Sequence, residues 1–76
     1  MTPARLVECL IIIRWTSLDL AAALECDIKL VEAWLEGIEE IPVKTAAWID
    51  TLAKVHAAVM KDRPKSMKGK RFKGVQ

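Results

Sequence analysis

Thr16-Ser17-Leu18-Asp19-Leu20-Ala21-Ala22-Ala23-Leu24-Glu25-Cys26-Asp27-Ile28-Lys29-Leu30-Val31-Glu32-Ala33-Trp34-Leu35-Glu36-Gly37 reads as two short helices joined by a tight turn. Thr16 can cap the first of them, with Asp19 three residues on as a carboxylate variant of the capping box. Leu20, Ala21 and Leu24 give that helix an apolar stripe ending at about Leu24, and the small Ala21 lets the next helix approach closely. Asp27 is placed to cap the second helix, Ile28 to Glu36. At 100° per residue Leu30, Val31, Trp34 and Leu35 point inward, while Lys29, Glu32, Ala33 and Glu36 point outward. Gly37 is the natural stop.

Outward from this pair, the spacing predicts a first helix with Thr2 as N-cap and Pro3 at its first position, where the missing N–H costs nothing. Leu6, Cys9, Leu10 and Ile13 share one face, and Trp15 closes the helix. Val7, Ile11 and Ile12 fall on the flanks or back, where a small isolated domain more often places polar residues. Contacts with neighbouring helices explain them in one way; a partner or homodimer surface explains them in another. On the other side, Ile38-Glu39-Glu40-Ile41-Pro42 reads as a loop. Val43 to about Lys61 follows as a fourth helix, with periodicity through Trp48, Leu52, Val55 and Val59. Arg63-Pro64 ends it.

The chain has 76 residues, 53% of them hydrophobic but with only three tryptophans and one phenylalanine as aromatics. One domain is expected, with aliphatics and alanine filling the core. A chain of this size buries only about 60% of its unfolded surface. The fold class is all-α: a compact domain of four or five helices over residues 1–61, followed by a disordered basic tail over 62–76. The tail has the composition of a segment that cannot offset its ordering entropy.

Charge divides the chain sharply. Residues 1–16 carry +1, residues 17–41 carry −6, and residues 42–76 carry +7, within a net charge of +2. In the middle segment seven carboxylates (Asp19, Glu25, Asp27, Glu32, Glu36, Glu39 and Glu40) oppose Lys29 alone. The tail gathers Lys61, Arg63, Lys65, Lys68, Lys70, Arg71 and Lys73 against Asp62.

Several functions are disfavoured by what the residues lack. Cys9, Cys26 and His56 are the only soft ligands, without CxxC or HxxxH spacing, so no metal or cofactor is expected. His56 reads as a partly buried structural histidine on the flank of the fourth helix, not as a catalytic base. Phosphate cradles and nucleophile elbows are absent, so the chain is not expected to be an enzyme. No secretory signal is seen, and the apolar run Leu10 to Ile13 is far short of the roughly 20 residues needed to span a bilayer. The expectation is a cytoplasmic protein with reduced thiols and no membrane association.

Asp19-Leu20-Ala21 with Leu24, then Val31 and Trp34, then Gly37, and finally Ile41-Pro42 leading to a helix with Trp48, resemble the Cro/C1-type, or lambda-repressor-like, helix-turn-helix family of phage and mobile-element regulators. The match covers about residues 5 to 59. The resemblance implies a DNA-binding transcriptional repressor, with a homodimer through Ile11 and Ile12 as one form of it, in which Ser17, Asp27, Ile28, Lys29, Glu32 and Ala33 face a half-site. Lys65, Lys68, Lys70, Arg71 and Lys73 would add phosphate contacts, and Phe72 a stacking surface.

The departures from that family lie where DNA would be touched. Serine stands at 17 where the family commonly has glutamine, and Glu25 where the turn commonly has glycine. Among the residues that would face the major groove, the bidentate base readers arginine, glutamine and asparagine are absent. A duplex carries about one negative charge per 1.7 Å of axis, so a carboxylate-lined face repels it. The preferred expectation is therefore a helix-turn-helix protein that binds another protein, such as a transcription factor. Glu32, Glu36, Glu39 and Glu40 would steer toward a basic surface, and Ile11 and Ile12 would supply apolar anchors. In size and in the acidic character of its helix-turn-helix segment the chain is similar to antiactivators of mobile genetic elements of the QseM type.

Overall fold

A computed structural model describes residues 1–74. The described residues form four helices and no strand: α1 (Pro3–Ile13), α2 (Ser17–Leu24), α3 (Ile28–Glu36) and α4 (Val43–Lys61). Local chemistry sets each start. The Thr2 hydroxyl accepts from the Arg5 N–H with Pro3 in the first turn, Thr16 and Asp19 form a complete capping box, and the Asp27 carboxylate accepts from the Lys29 N–H. Pro42 precedes α4 and makes no side-chain cap.

The first three helices end alike. Arg14 (φ 60°), Glu25 (φ 53°) and Gly37 (φ 76°) each turn left-handed. The N–H of the next residue then reaches back five positions, Trp15 to the Leu10 carbonyl at 3.0 Å, Cys26 to Ala21 at 3.0 Å and Ile38 to Ala33 at 2.9 Å. This satisfies carbonyls that the helix end would otherwise orphan. The first helix thus stops two residues before Trp15, because the left-handed step at Arg14 turns the tryptophan out of the helix. Trp15 packs instead against Trp48, with ring centroids 6.2 Å apart.

Helix α1 is the spine. It packs against both α3 and α4, while α2 packs against α3. Leu6, Cys9, Leu10 and Ile13 are all buried, as their spacing predicted, and they meet Leu20, Ala21, Val31, Trp34, Ile41, Ile49 and Ala53. Leu6, Leu20 and Ile49 are fully buried; each such side chain is worth about 1.5–3 kcal/mol of transfer free energy. No polar or charged residue is buried among the described residues. Helices α1 and α4 run in the same direction: Arg5 near the start of one bonds Asp50, and Ile11 and Ile12 near its end share a groove with His56, Ala57 and Met60.

Four inward assignments differ from expectation. Leu30 is 37% exposed, whereas Ile28 and Ala33 are partly covered. In α4 the buried line is Ile49 and Ala53, with Ala46 and His56 half-buried along it; Trp48, Val55 and Val59 stay exposed. Two apolar stripes lie side by side on this helix, and α1 packs on the one with small residues because alanine permits the closer approach. Beyond Lys61 the described residues carry no helix, only a turn closed by Lys70 N–H on the Met67 carbonyl at 3.0 Å. Val75 and Gln76, the end of the expected tail, lie outside the described residues. No described helix is long and apolar enough to cross a membrane.

Candidate functional site

The acidic residues of the middle segment are all exposed; apart from Asp19, in the first turn of α2, they sit on α3 and the turns at its two ends. Asp27 is committed locally, since its carboxylate holds the Lys29 N–H at 2.9 Å. Asp19 is likewise engaged with Thr16. Glu25, Glu32, Glu36, Glu39 and Glu40 differ: the ion pairs among the described residues are Arg5–Glu8, Arg5–Asp50 and Lys54–Asp50, and none involves these five. Their charge is therefore directed at solvent, with Lys29 as the one base on the same helix. Such an arrangement produces a negative field that a cationic surface would complete.

Ile11 and Ile12 belong to another part of the molecule. They line a groove of about 540 Å³ between the ends of α1 and α4, with Arg14, His56, Ala57, Met60 and Arg63. Ile11 is 70% exposed and Ile12 half-buried. Glu39 and Glu40 line a smaller groove, about 280 Å³, with Met1, Pro3, Trp34 and Ile41 at the opposite end of α1. The isoleucines and the glutamates expected to act together are thus separated by most of the length of α1. The groove at Ile11 and Ile12 carries arginines, not carboxylates, so the two surfaces differ in charge.

The residues that would face DNA are only partly available. Ser17 opens α2 half-buried, and Ile28 packs against the core. Ala33 is half-buried, and its carbonyl accepts the N–H groups of both Ile38 and Glu39. Lys29 and Glu32 are exposed. In the tail, Lys65, Lys68, Lys70, Arg71 and Lys73 are all exposed, and Phe72 is 95% exposed.

One cluster was not anticipated. Arg5 donates to Asp50 across the α1–α4 contact, and Lys54 pairs with the other oxygen of the same carboxylate at 2.9 Å. Hydrogen bonds from Lys54 and then from Arg5 hold the Asp50 carboxyl below its ordinary value. The bond to Asp50 correspondingly raises Arg5. The Asp50, Lys54 spacing was visible in the sequence as an i,i+4 pair; the link to Arg5 spans 45 residues and left no local signal. Both cysteines are free thiols, and burial pushes the Cys9 thiol up. Among the described residues no three His, Cys, Asp or Glu side chains are grouped to hold a metal ion.

Compared with protein-family models, with curated proteins and with solved structures, the chain finds no match in any of the three.

Proposed function

We propose that this chain is a small transcription-regulatory protein of the lambda-repressor-like helix-turn-helix type, with a flexible basic tail, that acts by binding a partner protein rather than by reading DNA. The partner presents a basic surface, as a transcription factor does, and the outcome is antiactivator-like. The observation that carries this reading is the set of exposed glutamates on and around α3 that no base within the fold neutralises. Retained side by side, they repel one another; a cationic partner turns that repulsion into attraction and a faster encounter. The groove at Ile11 and Ile12 supplies an apolar anchor at a separate position, so a partner engaging both would have to wrap along α1.

A second reading, a sequence-specific DNA-binding repressor, is favoured by the exposed run Lys65 to Lys73 with Phe72 among its bases. Phosphate neutralisation by such a run gives non-specific affinity with a steep salt dependence. Titrating the full chain with random and cognate duplex separates the two. On the first reading, any binding disappears when Lys65, Lys68, Lys70, Arg71 and Lys73 are changed to glutamine, and Lys29→Ala leaves base preference untouched. In parallel, joint Glu32→Gln, Glu36→Gln, Glu39→Gln and Glu40→Gln substitution abolishes capture of a transcription factor from the source cell. Tight binding with a base preference that depends on Lys29 would transfer the conclusion to the second reading.

A further inference from the structure

Trp48, Leu52, Val55 and Val59 follow the 4-3-4 spacing of a helical seam, yet the fold covers it only in part, with Trp15 against one side of Trp48 and the core against Leu52. Trp48 is 42%, Val55 55% and Val59 63% exposed, and Leu52 is half-buried. The stripe borders the buried line of Ile49 and Ala53 on the same helix but points to solvent over its C-terminal half. An apolar row at this rhythm is the surface by which one helix packs lengthwise on another.

We propose that this face of α4 binds a second copy of the chain, with the two α4 helices antiparallel about a two-fold axis. The charges select the second copy and the orientation. Lys44 and Asp62 stand 18 residues apart, which is about five helical turns, so they lie on one line along the same flank of the seam. Neither takes part in an ion pair among the described residues. In an antiparallel pair each flank meets its own copy. Lys44 at the start of one helix then comes beside Asp62 at the end of the other, and the contact repeats by symmetry. The same register sets the large Trp48 against the smaller Val59 of the second copy, and Leu52 against Val55. A parallel pair would instead crowd Trp48 on Trp48 and set each flank against the opposite one, which leaves Lys44 and Asp62 without each other. This surface is separate from the Ile11, Ile12 groove and independent of the partner reading. A dimer built this way displays two acidic α3 faces, so a partner with two basic sites gains avidity without any new contact.

Sedimentation equilibrium of the full chain tests the proposal, from about 10 µM to about 1 mM, a range that detects even a dimer bound by only a few kcal/mol. The expected result is a concentration-dependent dimer whose Kd rises about tenfold or more with Val55→Glu or Val59→Glu and is unchanged by Ile11→Glu. Lys44→Asp and Asp62→Lys each weaken it, and the two together restore Kd to within about twofold of the starting value. Both reversals suit the ends of α4, since an acid favours a helix start and a base a helix end, so the folded state survives and circular dichroism verifies it. A chain that stays monomeric throughout the range overturns the proposal. So does a dimer indifferent to Val59→Glu, a dimer dissolved by Ile11→Glu, or charge reversals that do not rescue one another.

Discussion

The guanidinium of Arg5 holds one carboxylate oxygen of Asp50 with both Nε, at 3.1 Å, and Nη2, at 2.7 Å. Lys54 takes the other oxygen, so a single aspartate ties α1 to α4 and braces α4 along its own axis. Because the folded carboxyl titrates below its ordinary value, the native state binds this proton less readily than the unfolded chain. The stabilisation is complete above the ordinary aspartate value and is lost as the pH falls through it toward the lower folded value. Asp50→Asn is therefore expected to lower the urea midpoint at neutral pH and to flatten the acid limb of a stability profile. An acid limb identical in the variant would remove Asp50 from that role.

Much of the fold was legible because its determinants are local. Thr2, Thr16, Asp27 and Gly37 act within one turn of their own position, and Leu6, Cys9, Leu10 and Ile13 share one face at helical spacing, which is the face the fold buries. Helix α4 was ambiguous for the opposite reason. Two apolar stripes adjoin, 3.6-residue periodicity fits both, and only the position of α1 decides that Ile49 and Ala53 go inside. Ile41 lies in a segment read as loop and is nevertheless buried. Of the candidate site, the identity and exposure of the glutamates followed from the sequence. The distance between Ile11 and Glu39 did not, because it depends on which end of α1 each one meets.

Glu25 occupies a left-handed position, φ 53°, that a Cβ disfavours. Glycine there removes the clash while costing some entropy in the unfolded chain. Glu25→Gly is expected to raise stability by up to about 1 kcal/mol, whereas Glu25→Ala, which keeps the Cβ, should give little or none of that gain. Equal gains from the two substitutions would assign the effect to removal of the charge. Chemical denaturation of the three proteins in parallel supplies the comparison.

The two cysteines report on different events. Cys9 is fully buried, and burial pushes its thiol up; Cys26 is partly exposed. An alkylating reagent should modify the native protein once, at Cys26, with Cys9 reacting only through opening of the core. Mass spectrometry resolves the two phases. Raising the pH through the ordinary thiol value lowers stability, since the unfolded chain releases the Cys9 proton more easily than the folded one. Labelling of Cys9 as fast as Cys26 in native buffer would show that α1 does not seal this site.

Glu36 stands in the last turn of α3, where the negative end of the helix dipole disfavours a carboxylate, and Glu32 sits one turn earlier on the same face. With no base paired to either, the fold gains nothing from this charge. Glu36→Gln is therefore expected to stabilise the protein by about 0.3–1 kcal/mol, an increment that shrinks as salt screens it. On the partner-binding reading the same substitution weakens capture of the basic partner, so stability and binding move in opposite directions. That divergence separates a surface kept for recognition from one that is merely solvated. A destabilised Glu36→Gln protein would mean that the carboxylate is engaged within the fold, and the acidic face would lose its best evidence for an external cation.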